Sequence, residues 1–204
     1  MLKDLIKTLH ELHQREIGCL ILTGNRHVFS IGANFSELSD RLLGPVFLDH
    51  LTEVSRLLRS YGGLTVSAID GYALGGGAEL ALSCDLVLGG PTCQIGFPEV
   101  RLGIAPGGGA VVALPGRIGK AKSLELVLSG RTIACTEALS IGLVDLLAES
   151  TTAAQFAHEW CRGLPVSGAY HLSKIKALFH ESTSRDPRQT ERQTILELLA
   201  NRTY

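Results

Sequence analysis

The chain has 204 residues, a length that fits one domain and can bury a sizeable core without a disulfide or metal staple. Apolar residues make up 45% of the chain and charged residues only 19%, and the mean hydropathy of +0.21 favours extra burial between subunits. The 19 basic and 20 acidic residues leave a formal charge of −1. This balance excludes a broad basic field for nucleic acid and a polybasic membrane tether.

The cysteine pattern and the N-terminus bear on the cellular compartment. Five cysteines are scattered through the chain without CxxC spacing, which predicts reduced core residues rather than a disulfide framework. The first 14 residues follow the pattern of an amphipathic helix and not that of a signal peptide. Because the apolar runs fall short of the about 18 residues of a transmembrane helix, we expect a cytoplasmic protein without membrane contact.

Helix and strand patterns alternate through the first half of the chain. Leucine and isoleucine at helical spacing predict a helix over 2–14 and another from Val46 to Leu58. Between them, Gly32-Ala33-Asn34 predicts a turn that opens a short helix within Phe29 to Leu38. Short apolar or β-branched runs predict four strands. The predicted strands are Ile17 to Leu22, Leu64 to Ile69, Asp85 to Leu88 and Gln94 to Gly96.

The second half changes from mixed structure to helices alone. One more strand is predicted from Leu143 to Leu147, after a helix from Glu137 to Ile141 that Thr136 caps. Beyond residue 151 only helical patterns follow, with an exposed loop from Thr183 to Arg188. The whole pattern predicts an α/β fold with a helical C-terminal region. The other predicted helices are Ala78 to Ser83, Ala110 to Leu114, Lys120 to Leu128, 152–162, 166–180 and 188–201.

Two glycine clusters precede predicted helices. Gly75-Gly76-Gly77 leads into the helix at Ala78, and the stretch from Gly103 to Gly109 leads into the helix at Ala110. Backbone N–H groups at such a helix start can bind phosphate or stabilise an oxyanion. The phosphate alternative requires a GxxxxGK[ST] motif or a GxGxxG after the first strand, and the chain has neither. An oxyanion site is the better functional interpretation, and tight helix–strand packing is the alternative without function.

Two glutamates accompany these clusters. Glu79 lies in the first turn of an otherwise apolar helix, and Glu99 follows Phe97-Pro98 just before the second cluster. Burial and a neighbouring carboxylate both raise the pKa of a glutamate, which suits general acid–base work. The structural alternatives are a helix-dipole carboxylate for Glu79 and a solvated loop residue for Glu99. Lys174 and Lys176 could reach a phosphate, but solvated helix positions are the simpler interpretation.

Several motifs recur in a fixed order along the first 150 residues. They are ILTG at 21–24, FSIGAN at 29–34, DGYALGGGAELALSCD at 70–85, FPE at 97–99, LGIAPG at 102–107, GR at 130–131, EA at 137–138 and GLVD at 142–145. Each motif alone is weak evidence for a family, but their combination in this order is specific. In this order and spacing, the chain resembles the crotonase superfamily, the enoyl-CoA hydratase/isomerase family.

The resemblance implies a fold and an assembly. It implies a spiral of ββα units over 1–150 and a helical oligomerisation region over 151–204, in homotrimers or homohexamers. It also implies a substrate carried as a thioester of CoA or of an acyl-carrier protein, without a metal or a further cofactor. Met1 stands at the helix that follows the family's first strand, and the family's closing stretch is missing. We therefore expect a chain shortened at both ends.

The resemblance also implies site residues. It places the two N–H donors of an oxyanion hole at Ala33 and Gly76, and it matches Glu79 and Glu99 to the glutamates that hold a water in family hydratases. It implies that the acyl pocket comes largely from residues 36–60. Further substrate contacts are implied at Ile31, Gly32, Gly75, Pro106 and Gly107.

These assignments imply a reaction and leave alternatives open. With both glutamates present, the family pattern favours addition of water across the α,β double bond of an enoyl thioester, or the reverse dehydration. Another crotonase reaction through the same oxyanion site, such as double-bond isomerisation or decarboxylation, is the second hypothesis. A non-catalytic paralogue that completes a partner protein is the third.

Overall fold

The strands of the chain are divided between two sheets. The structure, a computed structural model, describes residues 1–34, 36, 38, 41–165, 168–180, 195 and 197. Its strands are β1 (Cys19–Thr23), β2 (Val28–Ser30), β3 (Leu64–Ile69), β4 (Tyr72–Leu74), β5 (Leu86–Gly89), β6 (Gln94–Gly96), β7 (Thr132–Ala134) and β8 (Leu146–Leu147).

Each turn of the chain contributes one strand to each sheet. The first sheet has the order β1-β3-β5-β8 and is parallel throughout. The second has the order β2-β4-β6-β7 and is parallel except for the antiparallel pair β6–β7. Because the neighbouring strands in each sheet come from successive strand pairs along the chain, the fold is a spiral of ββα units, as predicted.

Helices separate the strand pairs and form the C-terminal part. Their buried positions recur at helical spacing, as in α2, where one face covers α1 with Leu9, Val54 and Leu58 all essentially inaccessible. The helices are α1 (Leu2–His13), α2 (Leu43–Arg59), α3 (Gly76–Ala81), a 3₁₀ helix (Pro98–Leu102), α4 (Ala110–Ser129), α5 (Cys135–Ser140), α6 (Ala153–Arg162) and α7 (Ala169–His180).

Two buried anchors hold the elements that carry the glycine clusters. Phe97, fully buried against Leu114 and Leu126 of α4, fixes the start of the 3₁₀ helix. Asp70, at the end of β3, is 6% exposed and accepts hydrogen bonds from the N–H of Ala153, at 3.1 Å to Oδ1 and 3.0 Å to Oδ2. The N-terminus of α6 is thereby tied to the turn between β3 and β4.

Each predicted strand overlaps a strand of the structure, and the main differences are strands that were not predicted. Three strands of three residues each, β2, β4 and β7, were not predicted, because alternation cannot be recognised over so short a stretch. Phe29 and Ser30, predicted within a turn and short helix, belong to β2. The predicted helices at 110–114 and 120–128 are the two arms of α4, whose backbone is non-helical between them at Gly119 (φ 74°, ψ 156°).

Two local predictions around α5 are wrong. Thr136 does not cap this helix: the N-cap is Ala134, in extended conformation, and α5 already begins at Cys135. Leu143 and Val144 are not in a strand, because their N–H groups both donate to the carbonyl of Ala138 and end the helix in a turn. The predicted loop at 183–188 and most of the predicted helix at 188–201 lie outside the described residues.

The interpretation of Lys176 as a solvated residue is also wrong. Its side chain is 10% exposed, and its Nζ lies 2.8 Å from Oδ2 of Asp85. The same ammonium donates to the carbonyls of Tyr61, at 3.1 Å, and Gly63, at 3.3 Å. Lys176 therefore attaches α7 to the spiral through a largely buried ion pair. Lys174 is more exposed and pairs with Glu197.

Other sequence predictions concern chemistry and surroundings. All five cysteines are free thiols, and four of them are buried, as predicted. Burial raises the pKa of the Cys84 thiol to about 12. Among the described residues, no helix combines the length and hydropathy of a membrane span. The cytoplasmic location stays a prediction.

Candidate active site

Two loops of the spiral meet beside α3. Gly32 lies against Gly76: a Cβ added to Gly32 would lie 3.1 Å from the backbone nitrogen of Gly76. The N–H groups of Ala33 and Gly76 make no hydrogen bond to another described residue, and both residues line one cavity. The two predicted oxyanion donors are thus next to each other and are available to a ligand oxygen.

Glycine is required on both sides of Gly76. Gly75 has φ 53° and ψ −126°, a conformation that residues with a Cβ rarely adopt, and its N–H donates to the carbonyl of Gly96 at 3.0 Å. A Cβ at Gly75 would also lie 3.2 Å from Oε1 of Glu99, and a Cβ at Gly77 would collide with the carbonyl of Ser30. The triplet therefore lets the chain turn sharply and approach both β2 and the carboxylate.

Glu79 links the first glycine cluster to the second. It lies in the first turn of α3, where it is 3% exposed. Its Oε1 accepts hydrogen bonds from the N–H of Gly108 at 2.7 Å and from that of Ala110 at 3.1 Å. These bonds fix the orientation of the carboxylate at the cavity wall and hold the start of α4 against α3.

Glu99 differs from Glu79 in having one carboxyl oxygen without such a partner among the described residues. It lies in the 3₁₀ helix and is 8% exposed, so the alternative of a solvated loop residue is wrong. Its Oε2 is buried and has no hydrogen-bond partner among the described residues. Burial raises the pKa of the Glu99 carboxyl, and the negative charge of Glu79 raises it further. Glu99 is thus a buried carboxyl group with a raised pKa.

The two carboxylates and the two N–H donors face a cavity of about 290 Å³. Pro106 was predicted to contact substrate, but it is not among the residues that line this cavity, although both its neighbours in the chain are. The predicted site residues that do line it are Ile31, Gly32, Ala33, Gly75, Gly76, Glu79, Glu99 and Gly107.

Apolar side chains complete the cavity, and the sequence analysis did not assign them individually. Phe47, Leu48 and Leu51 of α2 form one wall, inside the 36–60 stretch that the resemblance implies. Leu102 and Ile104 also line it and are 49% and 39% exposed. Their signal in the sequence is the run of apolar residues directly after Glu99. Such exposed apolar side chains at a cavity favour an apolar ligand segment there.

The arrangement supports carbonyl chemistry. Two backbone donors beside each other can bind an oxygen that becomes negatively charged, and two carboxylates across the cavity can hold and deprotonate a water. Within the described part of the chain, no three His, Cys, Asp or Glu side chains are grouped as metal ligands.

Comparisons with known proteins identify the family of this chain. The family described as enoyl-CoA hydratase/isomerase matches residues 1–203, which extends beyond the 1–150 expected from the motifs. A Mycobacterium tuberculosis protein named "Probable enoyl-CoA hydratase echA8" is 38% identical over 179 residues, which cover 81% of this chain and 70% of that protein. The 2,3-dehydroadipyl-CoA hydratase of Escherichia coli is 35% identical over 155 residues, covering 74% and 61%.

A solved structure gives the same result for the fold. The enoyl-CoA hydratase of Bacillus anthracis superposes with a TM-score of 0.91 and 25% identity, over 98% of this chain and 81% of that one. The fold and the site thus define a crotonase-type protein. The chain belongs to the enoyl-CoA hydratase/isomerase family of that superfamily.

Proposed function

We propose that this protein adds water across the α,β double bond of an enoyl thioester. The observation that carries the proposal is the meeting of four groups at one cavity: the unpartnered N–H groups of Ala33 and Gly76, the oriented carboxylate of Glu79 and the protonatable carboxyl of Glu99. The names of the relatives support the same reaction class.

The N–H groups of Ala33 and Gly76 would bind the thioester oxygen. When a nucleophile adds to the β-carbon, the electrons of the double bond shift and the thioester oxygen gains the charge of an enolate. Two fixed donors stabilise that charge more than they stabilise the neutral carbonyl, and one such donor typically contributes about 3–4 kcal/mol. Neither N–H group donates to another described residue, so no hydrogen bond between described residues must break before the thioester oxygen binds.

The glutamates would supply the water. Glu79, fixed by two backbone donors, orients the water as an acceptor. Glu99 in its ionised form takes one proton from the water while the oxygen bonds to the β-carbon. The resulting carboxylic acid then gives a proton to the α-carbon, so the net change is addition of one water. The raised pKa of Glu99 suits a group that must both accept and release a proton.

The test is turnover of crotonyl-CoA by the purified protein, followed by the loss of the ultraviolet absorbance of the enoyl thioester. We expect turnover by the wild type, and a loss of about 10²–10⁴-fold in kcat for Glu99→Gln. The variant Gly76→Pro removes the second oxyanion donor at the first position of a helix, where proline is tolerated. Wild-type activity in a folded Gly76→Pro protein would contradict the oxyanion assignment.

The assay also separates the remaining hypotheses. Double-bond isomerisation would convert a 3-enoyl thioester without consuming crotonyl-CoA, and an acyl-carrier-protein substrate would give turnover only when the crotonyl group is on the carrier. The predicted homotrimer or homohexamer, the absence of a cofactor and the lack of nucleic-acid or membrane partners stay predictions. Exposed apolar side chains of α4 support assembly; they are Val111, Val112, Leu124 and Leu128.

A further inference from the structure

A second cavity lies behind the glycine loop. Its volume is about 670 Å³, and it is lined by residues of α2, by Ser60 and by the second glycine cluster. Among the described residues that line it, none carries a carboxylate. Those that matter here are Thr52, Ser55, Arg56, Arg59 and the stretch 107–109. A guanidinium group and a hydroxyl that are not bonded elsewhere can donate hydrogen bonds to an anion.

Arg59 has the guanidinium that is free to bind a ligand. Arg56 donates from Nε and Nη2 to both carboxylate oxygens of Glu53, at 2.7 Å each. Arg59 makes no ion pair or side-chain hydrogen bond with another described residue. Its Nη2 would lie 2.8 Å from a Cβ on Gly109, so the guanidinium lies against the glycine loop.

The second cavity adjoins the site of the thioester. Gly107 lines both cavities. On α2, Leu48 and Leu51 line the first cavity, and Ser55 and Arg59 line the second. From Leu51 to Arg59 the helix rises about 12 Å at 1.5 Å per residue. One helix therefore presents an apolar wall near the oxyanion donors, then a hydroxyl, and then a positive charge.

The apolar wall separates the cavities but is thin. A Cβ on Gly107 would lie 2.9 Å from Cδ2 of Leu48, and one on Gly108 would lie 2.5 Å from Cδ2 of Leu51, so these leucines contact the loop directly. Leu48 is 38% exposed, so its side chain is not enclosed on all sides, and the inference takes a rotation of this side chain to admit the acyl chain. Ser55 donates to the carbonyl of Gly108 at 3.4 Å and keeps the polar side of the wall in place.

We propose that the acyl group of the substrate ends in a carboxylate, and that Arg59 binds this carboxylate with the hydroxyl of Thr52. This inference rests on the proposed hydratase function, because it takes the thioester end to lie at Ala33 and Gly76. An apolar segment of the acyl chain then contacts Leu48 and Leu51. The substrate class is that of enoyl thioesters of dicarboxylic acids.

The test compares two enoyl-CoA thioesters of equal chain length, one ending in a carboxylate and the other in a methyl group. We expect the wild type to have a kcat/KM at least tenfold higher for the carboxylate. Because a hydrogen bond to a charged group is lost, Arg59→Met should lower the ratio of the two kcat/KM values by about 10–100-fold. Arg59→Lys should restore part of it, since the charge remains but the fork geometry does not. Arg162→Met, at an exposed arginine of α6, is the matched control and should leave the ratio unchanged.

A binding measurement keeps the test independent of turnover. Calorimetry with the saturated CoA thioesters of a dicarboxylic and a monocarboxylic acid should show the same preference and the same loss in Arg59→Met. If neither enoyl thioester is hydrated but this preference is seen, the hydratase proposal fails and the anion site stands. Equal affinity for the two thioesters would overturn the inference. So would an equal loss for both in Arg59→Met, or binding of inorganic phosphate at Arg59 without any preference between the thioesters.

Discussion

Replacing Glu99 by glutamine should make the protein more stable while it lowers kcat by about 10²–10⁴-fold. Glu99 is 8% exposed, and its buried Oε2 has no hydrogen-bond partner among the described residues. Leaving a buried polar group unsatisfied costs about 1–3 kcal/mol, more for a charged group. Since the glutamine amide is polar but uncharged, we expect it to recover about 1 kcal/mol of that cost. For a chain of this size, that corresponds to a rise in Tm of about 2–4 °C.

The stability difference should depend on pH with a definite sign. Because the pKa of Glu99 is raised in the folded state, its folded form binds a proton over a range in which the unfolded chain has lost it. The wild type therefore loses stability as the pH rises from 4.5, the ordinary pKa of this group, through the raised pKa. The advantage of Glu99→Gln should be largest at pH 8 and vanish below pH 4.5.

Thermal unfolding followed by circular dichroism between pH 4.5 and pH 8 measures this difference. Glu149→Gln, at an exposed glutamate, is the control for removal of a surface charge and should change neither Tm nor turnover. A Glu99→Gln protein that is less stable than the wild type at pH 8 would refute the argument from burial. One that turns over crotonyl-CoA at the wild-type rate would refute the role of Glu99 in proton transfer.

Two further substitutions test the positioning of the site and of the helical region. Gly75→Ala should lower the free energy of unfolding by about 1–3 kcal/mol, because its φ of 53° strains any residue with a Cβ. Gly75→Ala should also reduce kcat, because the new methyl group crowds Oε1 of Glu99. Urea unfolding measures the change in stability, and the crotonyl-CoA assay measures the change in kcat. Unchanged activity would contradict the predicted contact between the methyl group and Glu99. Lys176→Met removes the ammonium that lies 2.8 Å from the 15%-exposed carboxylate of Asp85, which should cost about 3 kcal/mol and lower Tm by about 6–12 °C. Lys122→Met removes only an exposed pair and should shift Tm by less than about 2 °C, so equal shifts in the two lysine variants would refute the buried-pair argument.

The sequence predicts those features of the site that depend on backbone geometry. Glycine is needed at 75 because of the backbone conformation there, and at 77 because the backbone of β2 approaches closely. A glutamate within an apolar helix can be recognised from the sequence alone. The location of Glu99 relative to Glu79 could not be derived from spacing, because it depends on the second sheet bringing β4 beside β6. Only the resemblance to a known family related the two residues before the structure did.

Features that depend on contacts between distant segments escape prediction. Lys176 resembles any lysine on an amphipathic helix, and its burial becomes visible only when Asp85 and the carbonyls of Tyr61 and Gly63 surround it. Arg59 similarly has no distinguishing neighbour in sequence. Its position beside Gly109 follows from the packing of α2 against the glycine loop.

The hydrogen bonds between Asp70 and the N-terminus of α6 bear on whether the spiral of ββα units can fold without the helical C-terminal region. Both oxygens of this buried carboxylate are occupied by one N–H group of Ala153, and the residue sits where the chain turns from β3 into β4 and on to Gly75. A spiral severed after residue 150 would remove this donor from Asp70, five residues before Gly75. The helical region therefore helps to hold the turn that leads to Gly75, and we expect the ββα repeats to be less stable without it.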